Sequence, residues 1–550
     1  MLFAPHSSCP PLQRAWSVLI CLLAPLAANA QQASPTVQTP ALQAHVTFLA
    51  DDLLDGRAAA SRGYEIASKY VASQLQQYGL KPAGDEGTWF QQVPLLEATP
   101  VLPGSSATLT RDNETIEFEY STDYLPGADF LSSSSNVTAP LAFAGFGIEA
   151  PEQQYNDFEH VDVTGRIAVI FSGAPARFPA TARAYHSWSL RKWSKLVEHG
   201  AVGVIVVDSP DDAKRVPWER AVALSWVPQM RWLDDSGTAV DSFPELKLRF
   251  RFNPAAAPRL FDGAEHGYEE ILKALDDGVA QGFALPGTMT LSATTGLRRT
   301  NSVNVVGLLE GADAKLKSEF VVVTAHLDHL GKGAAVDGDA IYNGAHDNAL
   351  GVGMLLEIAR TVTAGVRPRR SILFVGITAE ERGLLGSDYF VAHSGTPPRT
   401  LIANINIDTP MTFAATRDLI AFGESNSSLG PLTASIATAL GYRLSPDPNP
   451  EEVALVRNDQ FSFVRRGIPA IALQAGNQSK DSKIDMGALK QEYRQRHYHQ
   501  PSDDLSLPMD FDAAADIARI NRRLVVEVAN APTRPRWRSG DFFGQTFGKN

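Results

Sequence analysis

Hydrophobic residues recur at helical spacing near the start of the chain and at strand spacing soon afterwards. Residues 42–54 and 64–78 each place apolar side chains on one helical face, and Gly79 follows the second run where helices commonly end. Residues 88–95 and 107–120 then form short apolar runs separated by turn residues. The pattern predicts two helices followed by short strands.

The pattern changes from about residue 135 onwards. Residues 141–145, 166–171 and 203–207 are short β-rich runs, and residues 189–199 have helical spacing and lead through glycine into the third run. A helix that ends in glycine and passes directly into a buried strand is typical of a compact αβ unit. We expect a separate, small β-rich unit that ends before about residue 285.

A second series of apolar runs occupies the remainder of the chain. Helical patterns at 351–364 and 432–440 lie between these runs, and an amphipathic helix at 512–529 closes the series. Alternating strands and helices predict an α/β fold, a doubly wound, mostly parallel mixed sheet with helices on both faces. The tail at 532–550 is rich in Arg, Gly and Phe, and we expect it to be loosely packed. The predicted strands are 304–309, 319–324, 371–377, 402–407, 419–422 and 470–474.

The first thirty residues resemble a secretory signal. Arg14 precedes an apolar run at 16–26 that is too short to span a bilayer, and Ala28-Asn29-Ala30 has the small-x-small form of a cleavage site. Cleavage near Ala30 predicts a secreted or periplasmic protein without a membrane anchor.

The positions of the cysteines and the net charge limit which metal ligands and which partners are possible. Cys9 and Cys21 both lie within the predicted signal, so the mature chain has neither a disulfide nor a thiolate ligand. After cleavage, 48 basic residues face 61 acidic ones, a net charge of −13. This charge argues against a nucleic-acid or anionic-membrane partner. Any metal must therefore be bound by His, Asp, Glu, carbonyl groups or water.

Polar residues follow several predicted strands of the second series. His326 and Asp328 follow the strand at 319–324, and Asp408 follows the strand at 402–407. A lone His or Asp in a loop is usually a surface or capping residue, and Glu380 alone could be an acid in the first turn of a helix. A run of successive loops that all offer zinc ligands is better explained by a metal site at the carboxyl ends of the strands.

Five motifs in order resemble metallopeptidase family 28, the co-catalytic di-zinc aminopeptidases and their relatives. They are AHLDH at 325–329, GAHDN at 344–348, TAEERGLLGS at 378–387, NID at 406–408 and YHQPSD at 498–503. The β-rich middle of the chain resembles a protease-associated domain, through GRIAVIFSG and KWSKLVEHGAVGVIVV. With that insertion, the resemblance covers nearly all of the mature chain.

The resemblance implies two zinc ions per chain and assigns their ligands. His326 and Asp408 would bind one ion, Glu381 and His499 the other, and Asp347 would bridge the two. Each ion would then have three protein ligands and one position for water or substrate.

The same resemblance implies three catalytic roles. Glu380 would be the general base that takes a proton from water and passes it to the leaving amine. Asp328 would hold the other imidazole nitrogen of His326, and Tyr498 would hydrogen-bond the developing oxyanion. His346 departs from the family pattern, where an acid is frequent, and with His329 and His497 we expect it to be a non-ligand.

The sequence thus predicts a secreted, zinc-dependent exopeptidase, most simply an aminopeptidase acting on a peptide or protein N-terminus. A carboxypeptidase resembling glutamate carboxypeptidase is the alternative, and a non-enzymatic binding relative is a second. The predicted segments are a signal peptide at 1–30, the first part of the peptidase domain at 31–134, a protease-associated-like insertion at 135–284, the zinc peptidase domain at 285–531 and a tail at 532–550.

Overall fold

The computed structural model describes residues 35–101, 104–276, 281–394 and 400–548. The predicted signal at 1–30 and its cleavage site lie outside the described residues. In the described residues, no helix has both the length and the apolar character needed to cross a membrane.

Side chains cap the start of several helices. The Ser61 hydroxyl accepts a hydrogen bond from the main chain of Tyr64, and Asp510 caps the long helix Phe511–Asn530 in the same way. The helices are Thr39–Leu49, Arg62–Gln77, Ala180–Ser187, Ser189–Glu198, Pro210–Arg215, Trp218–Ala223, Pro258–Phe261, Tyr268–Asp276, Leu350–Thr363, Leu385–Ala392, Leu429–Ala439, Gln460–Val464, Met486–Glu492, Phe511–Asn530 and Phe542–Phe547.

The first sheet has parallel strands at its centre. Glu319–His326 lies between Ser371–Ile377 and Thr400–Asn406, parallel to both. Alternate residues of these strands face opposite sides: Val321 and Val323 belong to one buried core and Val322 to another. The strand order is Arg443–Ser445, Asp418–Phe422, Ala470–Ala475, Thr400–Asn406, Glu319–His326, Ser371–Ile377, Phe283–Leu309, Phe90–Pro100 and Gln229–Trp232, with Lys81–Pro82 also paired to Phe283–Leu309.

The second sheet belongs to the β-rich middle of the chain. Its first strand is Ser106–Arg111, upstream of residue 135, where we placed the start of the insertion. A separate buried core, which includes Phe143, Phe171 and Phe250, packs against this sheet. The strand order is Glu114–Phe118, Ser106–Arg111, Phe283–Leu309, Ser134–Phe143, Ile167–Phe171, Gly203–Val207, Arg249–Phe252 and Tyr124–Pro126.

One long strand, Phe283–Leu309, belongs to both sheets. Residues 283–294 pair with Ser134–Phe143 in the second sheet, and residues 295–305 pair with Phe90–Pro100 in the first. The sequence predicted only its last part, because its middle mixes Arg, Thr, Ser and Asn and lacks the continuous apolar pattern of a buried strand. Two small hairpins complete the strands, Gly331–Val336 with Asp339–Tyr342 and Glu149–Ala150 with Tyr155–Asn156.

The expectation of a loosely packed tail is wrong for its aromatic residues, although most of 532–540 is exposed. Phe543 is fully buried in the core that also holds Phe461, and the indole N–H of Trp537 donates to the main-chain oxygen of Gly467 at 2.9 Å. The aromatic residues of the tail cover one face of the first sheet, a role that its Arg- and Gly-rich composition did not reveal.

Candidate metal centre

The candidate site lies where the central strands of the first sheet end. His326 is the last residue of Glu319–His326, Asp408 comes two residues after Thr400–Asn406, and Glu380 and Glu381 form a turn after Ser371–Ile377. Because these strands are parallel neighbours, their carboxyl ends meet at one edge of the sheet. The sheet therefore brings together side chains that are up to 82 residues apart in sequence.

The first ligand group consists of His326, Asp347 and Asp408. The Nε2 atom of His326 lies 3.1 Å from Asp347 Oδ1 and 3.2 Å from Asp408 Oδ1. Ligand atoms about 2.0–2.1 Å from a tetrahedral zinc ion lie about 3.3 Å from one another. The three atoms thus have the spacing of a ligand set.

The second ligand group consists of Glu381, His499 and the other oxygen of Asp347. The Nε2 atom of His499 lies 3.0 Å from Glu381 Oε2 and 3.4 Å from Asp347 Oδ2. Asp347 thus presents Oδ1 to one group and Oδ2 to the other. That is the placement a bridging carboxylate needs.

The donor set fits divalent cations. Asp347, Glu380, Glu381 and Asp408 bring four carboxyl groups together at the edge of a buried sheet, and like charges at this spacing repel unless cations lie among them. Two divalent ions would supply four positive charges. Burial lowers the pKa of His499, but the carboxylates of Glu381 and Asp347 raise it to about 9, so without metal the imidazole takes a proton as a substitute cation.

His329, which the sequence predicted to be a non-ligand, directly contacts a ligand residue. Its Nδ1 atom is 2.7 Å from Glu381 Oε1 and 4.0 Å from Asp347 Oδ2, and with these two carboxylates it forms a third possible ligand group. However, His329 contacts the Glu381 oxygen that points away from His499. This contact suits a residue that orients Glu381.

Asp328 contacts the centre through both its main chain and its carboxylate. The Nδ1 atom of His326 is 3.0 Å from the main-chain oxygen of Asp328, which can only accept, so Nδ1 donates and Nε2 keeps its lone pair for a metal. Asp328 thus holds the other imidazole nitrogen of His326 through its main chain. The Asp328 carboxylate accepts hydrogen bonds from the main-chain N–H groups of Glu380, at 3.1 Å, and Glu381, at 3.4 Å.

The two other predicted catalytic residues lie beside the ligand groups. Carboxylate and imidazole atoms of Glu380, Glu381 and His326 lie within 4.8 Å of one another, and burial raises the pKa of Glu380 well above its usual value. The Tyr498 ring stacks on the imidazole of His499, with 3.8 Å between ring centroids. Burial raises the pKa of Tyr498 well above 10, so its hydroxyl keeps its proton at neutral pH and can donate.

The two remaining histidines lie outside the three groups. His346 is buried, contacts the main-chain oxygen of Pro508 at 3.2 Å and packs against Phe413. His497 contacts the hydroxyl of Ser502 at 2.9 Å.

Several residues to which the sequence assigned no role hold the ligands in place. Asn458 donates to Asp408 Oδ2, and the Thr409 hydroxyl donates to Asp408 Oδ1 at 2.8 Å. Asp503 accepts hydrogen bonds from the main-chain N–H groups of His346 and Asp347, at 3.0 and 3.1 Å. Asp503 belongs to the YHQPSD motif, so its position in a motif was the available signal, whereas Asn458 lies outside the five motifs.

Arg57 links two loops of the centre through hydrogen bonds, and no local sequence pattern indicated this role. Its buried guanidinium donates to the main-chain oxygens of Leu327 at 3.0 Å, Asn343 at 2.6 Å and Gly344 at 3.1 Å. It thereby links the loop that follows His326 to the turn that carries Asp347.

Comparison with known proteins places this centre within a family region. Residues 304–525 match the model of Peptidase family M28. Aminopeptidase YwaD of Bacillus subtilis is 33% identical over 134 residues, which cover 24% of this chain and 26% of that protein. Aminopeptidase NAALADL1 of Rattus norvegicus is 30% identical over 351 residues, 53% of this chain and 43% of that protein. The chain thus spans from a quarter to under half of the length of these two relatives.

The fold has a counterpart among solved structures. An aminopeptidase from Aneurinibacillus sp. strain AM-1 superposes with a TM-score of 0.51 and 18% sequence identity, over 90% of this chain and 95% of that one. At this level of identity the likeness shows the α/β fold.

Proposed function

We propose that this chain, whose residues 304–525 match the model of peptidase family M28, is a di-zinc aminopeptidase that hydrolyses the bond after the first residue of a peptide. One observation carries the proposal: the two carboxylate oxygens of Asp347 face two separate ligand groups. The aminopeptidase relatives named above support the reaction class.

We assign His326 and Asp408 to one zinc ion, Glu381 and His499 to the other, and Asp347 to both. Zinc bound here would make a water molecule more acidic and polarise the carbonyl group of the substrate. His326 would bind the first ion through Nε2, because its Nδ1–H is held by the carbonyl oxygen of Asp328.

Glu380 is the group we assign to proton transfer. Its carboxylate takes a proton from the attacking water and delivers it to the amine that leaves. The Asp328 carboxylate holds the turn on which Glu380 lies, through the main-chain N–H of Glu380. The Tyr498 hydroxyl donates a hydrogen bond to the oxygen that gains negative charge during the attack.

The finer features of the sequence prediction remain part of this proposal. We propose secretion after cleavage near Ala30 and a protease-associated character for the β-rich middle. The separate buried cores of the two sheets support a division into a peptidase domain and an insertion. We expect a peptide or protein N-terminus as substrate, and neither nucleic acid nor a membrane anchor as partner.

The direct test is a panel of aminoacyl p-nitroanilides and their N-acetylated forms, with and without a chelator. We expect cleavage of the unblocked substrates alone, loss of activity with chelator and recovery on adding zinc. Release of C-terminal residues from N-acetylated peptides would instead favour a carboxypeptidase. Tight zinc binding without hydrolysis of any substrate would favour the non-enzymatic alternative.

A further inference from the structure

The second sheet has parallel strands of its own. Ile167–Phe171 runs parallel to Ser134–Phe143 on one side and to Gly203–Val207 on the other, and Gly203–Val207 is also parallel to Arg249–Phe252. In open sheets of parallel strands, ligands bind in the crevice beyond the carboxyl ends of the strands. The carboxyl edge of these four strands is therefore a second place where the fold favours a ligand.

A cavity of about 370 Å³ lies at this edge. Ser172 follows Ile167–Phe171 and Asp208 follows Gly203–Val207, and both residues line the cavity. Small-molecule sites in proteins have volumes of about 300–1,000 Å³, so the cavity is large enough for a small organic molecule. The apolar residues of its wall include Phe146, Ile170, Trp188, Trp193, Val206 and Leu275.

Most charged groups on the β-rich side of this cavity are paired with one another. Each aspartate there is bound by an arginine, and the pairs are Arg183 with Asp211 at 3.0 Å, Arg215 with Asp212 at 2.7 Å and Arg251 with Asp208 at 2.6 Å. Lys192 is the remaining charged residue on this side, and in the part of the chain that the structure describes no carboxylate forms an ion pair with it. Its amine can therefore lose a proton without leaving a carboxylate unpaired.

Lys192 is held in the cavity wall by one main-chain contact. It belongs to the helix Ser189–Glu198 and is only 3% exposed. Its Nζ atom donates to the main-chain oxygen of Phe171 at 3.0 Å and lies 5.5 Å from the centroid of the Phe146 ring. A neutral amine needs only one of its two hydrogens for this bond, so its lone pair stays available to a ligand.

Two carboxyl groups face this amine from neighbouring segments. Asp157 accepts a hydrogen bond from the Tyr155 hydroxyl at 2.6 Å, and Asp212 accepts one from the Ser172 hydroxyl at 2.5 Å. Burial lowers the pKa of Lys192 to about 7, although the charges of Asp157 and Asp212 act to raise it. At neutral pH about half of the Lys192 side chains are therefore uncharged, and the uncharged amine is the nucleophilic form.

We infer that Lys192 captures an aldehyde in this cavity as an imine, through chemistry that does not involve the metal centre. The amine nitrogen attacks the carbonyl carbon and forms the C–N bond. The two amine hydrogens move to the carbonyl oxygen, which leaves as water while the C=N bond forms. Amine and aldehyde thus give imine and water, and no oxidant or further reactant is needed. The apolar lining favours an aldehyde with an aromatic or branched aliphatic body.

Reductive labelling of the unmodified mature protein tests this directly. Benzaldehyde is the probe, and sodium cyanoborohydride reduces an imine to a stable benzylamine that peptide mass spectrometry locates. At pH 7 we expect Lys192 to be benzylated about 100-fold faster than Lys214, an exposed lysine, because an ordinary lysine with a pKa of about 10.4 is almost wholly protonated. The labelling rate of Lys192 should rise with pH and be half-maximal near its pKa of about 7.

Lys490 is the matched control within the same chain. It is also buried, and burial also lowers its pKa to about 7, but it does not line the cavity. We expect Lys490 to remain unlabelled. Equal labelling of Lys490 would show that a lowered pKa suffices without the cavity. No labelling of Lys192 would show that it only ties its helix to the end of a strand, and either result would overturn the inference.

A second measurement separates an imine from ordinary binding. Benzyl alcohol has the same ring as benzaldehyde without the carbonyl group. We expect benzaldehyde to raise the melting temperature of the unreduced protein and benzyl alcohol to leave it unchanged. Lys192→Met should lose both the label and this shift, with circular dichroism reporting that the variant is folded. Equal shifts from the two compounds would mean that the ring alone is bound, and would contradict the imine.

Discussion

The two ligand groups that share Asp347 are built in different ways. In the first, His326 ends a central strand and Asp408 follows its neighbour closely, and the His326 side chain is only 1% exposed. In the second, His499 lies in a turn outside the sheet, has a left-handed backbone with φ 58°, and keeps 20% of its side chain exposed. The first ligand group is therefore positioned by the sheet, and the second depends on the loop that carries His499.

This difference predicts unequal retention of metal. Neighbouring strands hold the first group, with Asn458 and Thr409 both bonded to Asp408. The second group can open if the loop of His499 moves, since exposed loop segments open at low free-energy cost. We therefore expect the ion at Glu381 and His499 to leave first on dialysis.

Asp347→Ala removes the one residue common to both groups, so it should have the largest effect. We expect less than one metal ion per chain and a loss of kcat well beyond about 100-fold. Changing even a residue that only hydrogen-bonds a metal ligand lowers metal affinity or activity by about 10- to 100-fold. Metal analysis and steady-state kinetics measure both. Asp481→Ala, an exposed aspartate, is the control. A variant that keeps two ions would show that Asp347 is not the bridge.

Glu380→Gln leaves both groups intact and should remove only proton transfer. The expected result is a loss of about 10²–10⁴-fold in kcat with two metal ions retained. Glu219→Gln, at an exposed position, should have unchanged kinetics. Turnover close to that of the unmodified chain would rule out Glu380 as the base.

His499→Ala and His329→Ala compare the two imidazoles around Glu381. We expect His499→Ala to retain one ion per chain after dialysis. His329→Ala should retain two ions with an affinity about 10- to 100-fold weaker, as expected for a residue that orients a ligand. The opposite result, one ion after loss of His329 and two after loss of His499, would exchange their roles.

Asn458→Ala weakens the first group alone and should have the smallest effect. Without its hydrogen bond to Asp408 Oδ2, we expect the tighter ion to bind about 10-fold less strongly. Competition with a metal-sensitive dye measures the affinity, and Asn136→Ala, an exposed asparagine of the second sheet, is the control. Equal weakening of both ions would indicate general destabilisation instead of a local effect on Asp408.

The strand pattern alone indicated those parts of the centre that are attached directly to strands. His326, Glu381 and Asp408 follow continuous apolar runs, and parallel strands necessarily bring their carboxyl ends together. Asp347 and His499 were found through their motifs, and the structure brings both to the same place. The sequence does not show which oxygen of Asp328 contacts His326, because the residue carries both a main-chain and a side-chain acceptor.

The parts that the sequence missed depend on contacts between distant segments. Arg57 reaches the centre from more than 250 residues away along the chain, and it stands in no recognisable pattern. Most of the strand Phe283–Leu309 was also missed, because its middle pairs in two sheets and has no single buried face. The spacing of apolar residues indicates which face of a helix or strand is buried. It does not indicate which distant segments of the chain contact each other.

The central claim is that Asp347 bridges two zinc ions. The most direct measurement is anomalous X-ray scattering at the zinc edge from crystals of the mature chain grown with zinc. We predict two peaks about 3.5–4 Å apart, one on each side of the Asp347 carboxylate. A single peak, or a second peak that does not contact Asp347, would contradict the account.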